Sequence, residues 1–267
     1  MGVVNVTPDS FSDGGRFLDP RRAVEEAFRQ ARGGAAIVDV GGESTRPGSE
    51  PVGADAEMER ILPVIGALRA EGFPSWISVD TTKVEVARAA LEAGADMIND
   101  ISGLRFEPAL AALAAEHGVP LVLMHSRGRP QTMQKAPRYD DLLGEVAAEL
   151  RAGIETAIAH GLAAERVVID PGIGFAKTAE HNHALLVRLP ELAALGRPIL
   201  VGTSRKSFIG RILDAPADGR LEGTIATVVL AAAAGAHIVR VHDVAACRRA
   251  LLVADALRAE SERIERA

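Results

Sequence analysis

Cysteine is almost absent from this chain of 267 residues, and aromatic residues make up 3% of it. Cys247 is the single cysteine of the sequence, so the chain cannot form an internal disulfide, as is typical of proteins from a reducing cytosol. Hydrophobic residues make up 48% of the sequence, which is ample for one large core.

The sequence also lacks long apolar runs and an excess of positive charge. No charge-free apolar stretch is long enough to cross a bilayer, and no secretory leader pattern is present. Acidic residues number 36 and basic residues 30, and the net charge of −6 disfavours a sequence-independent grip on nucleic acid or an anionic membrane. We therefore expect a soluble, cytoplasmic protein that binds anionic ligands through local positive charge.

Short runs rich in valine and isoleucine alternate with longer stretches at helical spacing along the whole chain. The predicted strands cover residues 2–6, 36–40, 76–79, 97–99, 121–124, 167–169, 199–201 and 238–241. The predicted helices cover residues 21–32, 56–71, 83–93, 108–117, 139–160, 181–195, 221–234 and 245–259. Strands this apolar favour a parallel sheet buried on both faces, and eight units favour a single-domain (β/α)8 TIM barrel of the α/β class. The alternative is an open, doubly wound sheet.

The predicted helix 221–234 is apolar nearly all round, with the sequence "TIATVVLAAAAG". One face of such a helix is expected against the barrel, and another is available to a second subunit.

Polar residues follow the predicted strands, at the barrel mouth where ligands bind. A single Asp or Ser in such a turn is commonly the N-cap of the next helix. Asp39, Asp80 and Asp170, however, directly adjoin apolar strands, and burying an unpaired carboxylate costs on the order of several kcal/mol. We therefore expect these carboxylates to form one polar, ligand-filled pocket with other strand-end residues, namely Asn5, Asn99, Lys206 and Arg240.

These residue types indicate the chemistry of the ligand. Carboxylates and amides suit a flat heterocycle with amidine-like N–H edges, because one carboxylate can accept two parallel hydrogen bonds. Arg46, Lys206 and Arg240, with a helix N-terminus expected after "GTSRKS", can bind phosphate oxygens. Asn5 offers an oxygen suited to Mg²⁺, which usually keeps water and substrate phosphates as its other ligands.

Eight motifs occur in order at barrel-like spacing: "NVTPDSFSDGG" (5–15), "VDVGGESTRPG" (38–48), "SVDTTK" (78–83), "MINDISG" (97–103), "MHSRGRPQTMQ" (124–134), "DPGIGFAK" (170–177), "SRKSFIG" (204–210) and "RVHDV" (240–244). Each motif alone is a weak signal, but together they are very specific. The chain resembles the dihydropteroate synthases of the folate pathway, a (β/α)8 family, over essentially its whole length.

The resemblance implies an enzyme that joins 6-hydroxymethyl-7,8-dihydropterin pyrophosphate to 4-aminobenzoate with Mg²⁺, releasing pyrophosphate and 7,8-dihydropteroate. It implies a homodimer through the late helices. It implies that the pterin ring is held by Asp80, Asn99, Asp170 and Lys206, the residues expected to carry catalysis, with Met124 and Phe175 near its face. It implies that Asn5 touches the Mg²⁺ and that pyrophosphate is bound by Arg46, Arg240 and His242. It also implies that 4-aminobenzoate, and the sulfonamides that compete with it, are surrounded by Phe11, Thr45, Pro47 and Ser207.

The Gly- and Ser-rich stretch after Asn5 is expected to be a mobile lid, with Thr7, Asp9 and Phe11 placed over the site when pyrophosphate and Mg²⁺ are bound. A loop without such a function is the alternative. Because an aromatic amine is neutral at pH 7, the hard step is breaking the C–O bond to pyrophosphate. We expect a dissociative reaction, in which Asp80 and Asp170 stabilise positive charge on the ring.

Two other functions are compatible with a pterin pocket. A pterin-binding methyltransferase with a corrinoid partner has no need of "TPDSFSDGG" or "SRKS". A non-catalytic pterin-binding homologue would have lost Asn5, Arg240 or His242, and all three are present.

The chain departs from the family at three positions. Ile173, Ala176 and Ser126 stand where the family commonly has Phe, Gly and Met. These changes are expected to alter the walls of the pocket, and hence substrate affinity more than reaction type. His125, at the end of the fifth strand, is expected either to face the site or to support it from behind.

Overall fold

The computed structural model describes residues 1–7, 19–45, 48–135 and 137–265. Four predicted site residues, Asp9, Phe11, Arg46 and Pro47, lie outside the described residues. The strands are β1 (Gly2–Asn5), β2 (Ile37–Gly41), β3 (Trp76–Asp80), β4 (Met97–Asp100), β5 (Leu121–Met124), β6 (Val167–Asp170), β7 (Leu200–Val201) and β8 (Ile238–Val239). Every boundary lies within two residues of its prediction.

The strands close into a barrel. Strands β1 to β6 form a parallel sheet in sequence order, and β7 pairs in parallel with β8. Parallel bridges join these two sheets at Ile169–Ile199 and at Gly2–Val241, and Val241 N donates to Met1 O at 2.9 Å. The predicted (β/α)8 barrel is confirmed, and the open-sheet alternative is wrong because the last strand region returns to the first.

Helices follow the strands in the described part of the chain: α1 (Pro20–Arg32), α2 (Ala54–Ala70), α3 (Val84–Glu92), α4 (Ala109–His117), α5 (Leu142–Ala159), α6 (Ala179–Val187), α7 (Ser207–Leu213), α8 (Leu221–Ala233) and α9 (Val244–Glu265). Helix α7 begins where the sequence predicted a helix N-terminus after "GTSRKS". The predicted helix 181–195 is interrupted, since α6 ends at Val187 and a 3-10 helix covers Leu189–Leu195. Pro190 explains this break, because proline lacks an N–H and disfavours helical geometry in the preceding residue.

The interior of the barrel has an apolar layer below a polar one. Met97, Val122, Val168 and Leu200 pack together, with Met1, Ile37 and Ile238 against them. Alternate residues of a strand share a face, so the residue two positions further along points into the same interior. Asn99, Met124 and Asp170 stand in that position on β4, β5 and β6. The period of the strands therefore places polar strand-end side chains inside the mouth of the barrel.

The late helices are only partly covered. Thr224, Val228 and Ala231 of α8 are buried, whereas Leu230 is 67% exposed. The prediction that one face of this helix packs on the barrel is confirmed. Among the described residues, no helix combines the length and apolar character needed to span a membrane.

Candidate active site

A cavity of about 1010 Å³ lies at the C-terminal ends of the strands. Its walls include all of the predicted site residues that the structure describes, namely Asn5, Thr7, Thr45, Asp80, Asn99, Met124, Asp170, Phe175, Lys206, Ser207, Arg240 and His242. These residues come from all eight strand–helix units. The fold therefore brings together predicted residues that are far apart in the sequence. The roles given to Asp9, Phe11, Arg46 and Pro47 stay predictions.

One guanidinium is shared by two carboxylates at the centre of the site. Arg240 Nε donates to Asp39 Oδ2 at 2.6 Å, and Arg240 Nη2 donates to Asp80 Oδ2 at 2.8 Å. Asn99 Nδ2 also donates to Asp39 Oδ2, at 2.9 Å. Asp39, which is fully buried, was expected in the pocket from its position, but no ligand contact was assigned to it. Its strand-end position was the available signal, but its partners could not be read from the sequence.

The electrostatics of Asp80 follow from this sharing. Burial and the nearby Asp39 carboxylate raise the pKa of Asp80 to about 8, and Arg240 opposes that rise. One guanidinium divided between two buried carboxylates does not offset their desolvation and mutual repulsion. The Asp80 carboxylate is therefore more readily protonated than an exposed aspartate, and a partner with N–H groups favours its ionised form.

Asp170 sits at the end of β6, against a tight turn. Its Oδ1 accepts the backbone N–H of Gly172 at 2.7 Å, while burial raises the pKa of Asp170 to about 6. A Cβ on Gly172 would lie 1.9 Å from the carbonyl oxygen of His125, and the φ of Gly172 is +69°. Only glycine fits this position, and the turn it allows holds Asp170 at the mouth of the cavity.

Lys206 lies over the ring of Phe175, with Nζ 4.2 Å from the ring centroid. Burial, with a smaller contribution from Arg240, lowers the pKa of Lys206 to about 8, and Asp170 and Asp80 oppose this change. A cation over an aromatic face is attracted by the ring quadrupole. Lys206 can therefore donate to a ligand while Phe175 forms an apolar wall beside it.

The residue before Lys206 holds an uncommon backbone conformation. Arg205 has a φ of +60°, and its side chain makes a two-bond ion pair with Asp243, with Nη2–Oδ1 at 2.8 Å and Nε–Oδ2 at 3.1 Å. Arg220 Nη1 donates to the carbonyl oxygen of Arg205 at 2.8 Å. Such strain persists when surrounding contacts fix it, and here it aims Lys206 into the cavity.

His242 is a neutral group in this site. Burial, together with Arg205 and Arg240, lowers the pKa of His242 to about 4. Its Nδ1 lies 3.0 Å from Ser204 Oγ, and that hydroxyl oxygen accepts the backbone N–H of His242 at 3.2 Å. The Ser204 hydrogen can then be donated to Nδ1, which leaves Nε2–H of His242 as a neutral donor.

A chain of close polar contacts runs from Lys177, in the wall of the cavity, through His125 to Glu149. Lys177 Nζ lies 2.9 Å from His125 Nδ1 and donates to Phe175 O at 3.0 Å, and His125 Nε2 lies 3.2 Å from Glu149 Oε2. Burial lowers the pKa of Lys177 to about 7 and that of His125 to about 4. Because the His125 side chain is enclosed by these contacts, the structure favours its supporting role over direct contact with a ligand. Lys177 was not among the predicted site residues, although its place in "DPGIGFAK" was a visible signal.

The three departures from the family differ in their surroundings. Ile173 lines the cavity, and Ser126 is buried. Ala176 is buried in a cluster with Met124, Met133 and Phe175, and its φ is +51°. A side chain in this left-handed region carries a steric cost that glycine avoids.

The residues present fit a Mg²⁺ ion that takes few ligands from the protein and most of them from substrate phosphates and water. Among residues 1–7, 19–45, 48–135 and 137–265, no group of three or more His, Cys, Asp or Glu side chains could hold a metal ion. Asn5 lines the cavity at the end of β1 and supplies one amide oxygen. Mg²⁺ characteristically takes few protein oxygens and keeps water and phosphate oxygens.

Comparison with known proteins identifies the family of the chain. A family model described as "Pterin binding enzyme" matches residues 1–242. The chain therefore belongs to the pterin-binding enzyme family.

Three relatives support this family assignment. Dihydropteroate synthase from Synechocystis sp. is 56% identical over 96% of this chain and 89% of its own length. The Yersinia pestis enzyme, solved in a complex with a sulfonamide drug, has a TM-score of 0.90 at 44% identity, covering 97% of this chain and 93% of that one. Xanthomonas albilineans dihydropteroate synthase was solved with 4-aminobenzoic acid and with 7,8-dihydropteroate, with TM-scores of 0.90 and 0.87 at 46% and 44% identity; each covers 97% of this chain and 92% of its own. The chain is therefore assigned to the dihydropteroate synthases, as its motifs predicted.

Proposed function

We propose that the protein condenses 6-hydroxymethyl-7,8-dihydropterin pyrophosphate with 4-aminobenzoate to give 7,8-dihydropteroate and pyrophosphate. The observation that carries this proposal is the convergence of Asp80, Asn99, Asp170, Lys206 and Arg240 on one cavity. The Xanthomonas albilineans enzyme supports the choice of substrates, because it was solved with 4-aminobenzoic acid and with 7,8-dihydropteroate.

The pterin ring is bound by the polar layer of the barrel. Asp80 and Asp170 accept N–H groups of the ring, Asn99 adds an amide, and Lys206 donates to a ring acceptor. Each hydrogen bond to a charged group contributes about 1.5–3 kcal/mol when it replaces no better partner. Met124 and Phe175 cover the faces of the ring with apolar surface.

The diphosphate is bound beside the ring by Arg240 and His242. Arg240 uses two N–H groups on Asp39 and Asp80, and its guanidinium carries further N–H groups for phosphate oxygens. Neutral His242 adds an Nε2–H donor rather than a second positive charge. Asn5 would hold Mg²⁺ on its amide oxygen, and the ion would supply positive charge that stabilises the leaving diphosphate.

The reaction proceeds by loss of the diphosphate and then attack by the amine. The C–O bond breaks with its electron pair passing to the diphosphate, and the methylene carbon carries positive charge that spreads over the ring. Ionised Asp80 and Asp170 stabilise this charge, and Arg240 stabilises the departing anion. The amine nitrogen then bonds to the methylene carbon and loses one proton, giving 7,8-dihydropteroate.

A product assay tests this function. The protein is incubated with the pterin pyrophosphate, 4-aminobenzoate and Mg²⁺, and both products are measured by mass spectrometry and a phosphate assay. We expect equal amounts of 7,8-dihydropteroate and pyrophosphate, loss of both on chelation of Mg²⁺, and restoration on its return. Failure of the wild-type protein to form 7,8-dihydropteroate contradicts the proposal.

We also propose a homodimer through α8 and α9. Leu230 on α8 and Val253, Leu257 and Ile264 on α9 are 67%, 63%, 68% and 64% exposed. Spacings of four and seven residues place the three α9 side chains on one face. Light scattering should give twice the chain mass, and Leu257→Glu should halve it. The matched control is Val187→Glu, at an 80% exposed residue of α6, which should stay dimeric; a monomeric wild-type protein contradicts this proposal.

A further inference from the structure

Two motif residues take no part in the chemistry above, although they lie close to it. Glu43 belongs to "GGESTRPG" after β2, and Lys83 belongs to "SVDTTK" after β3. Lys83 Nζ lies 2.5 Å from Glu43 Oε2 and also forms an ion pair with Glu57 of α2. One ammonium therefore links two strand-end loops to a helix outside the barrel.

Glu57 makes this link rigid. Its side chain is fully buried, whereas those of Lys83 and Glu43 are 19% and 23% exposed. Burial raises the pKa of Glu57 and Lys83 opposes the change, so the Glu57 carboxylate depends on Lys83 as its counter-ion. Removing one partner of a buried ion pair is strongly destabilising. The pair with Glu57 therefore holds the Lys83 ammonium in the position from which it contacts Glu43.

A second contact holds the same loop against α2. Arg60 Nη1 of α2 donates to Gly42 O at 2.7 Å. A Cβ on Gly42 would lie 2.9 Å from Ile61 Cγ2 and 3.0 Å from Glu57 Cγ, so the loop backbone packs directly on the helix. Residues 42 and 43 are thus fixed from two sides, two positions before Thr45, which lines the cavity.

We infer that the Lys83–Glu57 ion pair positions the loop after β2 through the contact of Lys83 with Glu43. This loop forms part of the wall of the subsite for the arylamine substrate. This inference rests on the proposed function, because it concerns the subsite predicted for 4-aminobenzoate at Thr45. Glu43, Lys83 and Glu57 are positioning residues that touch neither substrate. The pterin residues Asn99 and Asp170 lie on β4 and β6, and Lys206 directly precedes α7, so none of them belongs to the loop that contains Glu43.

Glu43→Gln tests the inference because it removes the loop end of the link and leaves the buried Lys83–Glu57 pair intact. The Michaelis constant for 4-aminobenzoate should rise about 5- to 20-fold, since small displacements of binding groups have large effects. The Michaelis constant for the pterin pyrophosphate and kcat should change less than about twofold. The matched control is Glu50→Gln, an exposed carboxylate on the same loop that accepts from Gln131 Nε2 at 3.1 Å, and all three constants should stay unchanged. Equal rises in both Michaelis constants, or no rise, overturn the inference.

Hydrogen exchange provides a readout that does not depend on catalysis. Backbone amides of residues 42–45 in the ligand-free protein should exchange at least about threefold faster in Glu43→Gln, and at the wild-type rate in Glu50→Gln. Unchanged exchange in Glu43→Gln overturns the inference. A wild-type protein that forms no 7,8-dihydropteroate refutes the proposed function instead. The exchange rates alone then decide whether the Lys83–Glu57 pair positions the loop through Glu43.

Discussion

Arg240 Nη2 lies 2.8 Å from Asp80 Oδ2, although the two residues are 160 positions apart, Asp80 at the end of β3 and Arg240 directly after β8. The contact joins the carboxylate proposed to bind the ring to the cation proposed to bind the diphosphate. Breaking the C–O bond separates positive charge on the ring from negative charge on the diphosphate. The two groups that stabilise these charges are therefore already held against each other in the free site.

Asp80→Asn should lower kcat/KM by about 100- to 1000-fold, because it removes a negative charge facing the cationic ring in the transition state. The dissociation constant for pyrophosphate should change little, since Arg240 keeps its contact with Asp39. Steady-state kinetics and calorimetric titration with pyrophosphate measure the two effects. Asp140→Asn, at an exposed position before α5, is the control. Retained turnover in Asp80→Asn would remove this residue from the mechanism.

Binding of the ring should release a proton at pH 7. Burial and Asp39 raise the pKa of Asp80 to about 8, against Arg240, with smaller contributions from Glu57 and Asp100 that raise it further. Ring N–H groups favour the ionised carboxylate, so affinity should increase as the pH rises from 6 to 8. Titrations with a non-reactive pterin in two buffers of different ionisation enthalpy measure the proton count. Proton release should disappear in Asp80→Asn; its absence in the wild-type protein would contradict the protonated state of Asp80.

Asp170→Asn should stabilise the ligand-free protein at pH 7 while abolishing turnover. Burial raises the pKa of Asp170 from 3.8 to about 6, so its contribution to stability is fully present below pH 3.8 and is lost as the pH rises through 6. The free energy of unfolding of the variant should exceed that of the wild type by about 2 kcal/mol at pH 7 and match it near pH 4. Urea denaturation at the two pH values measures this. A variant that is less stable than the wild type at pH 7 would show that the carboxylate is not under strain.

Ala176→Gly should raise the free energy of unfolding by about 0.5–1 kcal/mol. The φ of Ala176 is +51°, where a Cβ is unfavourable, and the gain is reduced by the greater freedom of glycine in the unfolded chain. Thermal and urea denaturation measure the change. The control is Ala115→Gly within α4, where loss of helix propensity should destabilise the protein. Destabilisation in both variants would show that neighbouring contacts favour the alanine at position 176.

The barrel could be predicted because each strand is a short apolar run followed by polar residues, and the strand period then placed Asn99 and Asp170 in the mouth. Long-range pairing could not be predicted in the same way. Asp39 meets Arg240 across the closing seam of the barrel, 201 positions away, so its partner was not visible in the sequence. Glu57 resembles an ordinary acidic residue of a helix first turn, yet it is fully buried against Lys83. Pro190 was a visible signal of the break after α6, and the predicted helix 181–195 overlooked it.

The most direct test of the central claim follows the C–O bond in the absence of 4-aminobenzoate. Pterin pyrophosphate carrying a heavy oxygen isotope in the bridge to the methylene carbon is incubated with the protein and Mg²⁺, and phosphorus NMR follows the label. If Asp80 and Asp170 stabilise a cationic ring while Arg240 retains the diphosphate, the label should move from the bridge into non-bridging positions. A label that stays in the bridge, with a protein that makes 7,8-dihydropteroate once 4-aminobenzoate is added, would contradict the account.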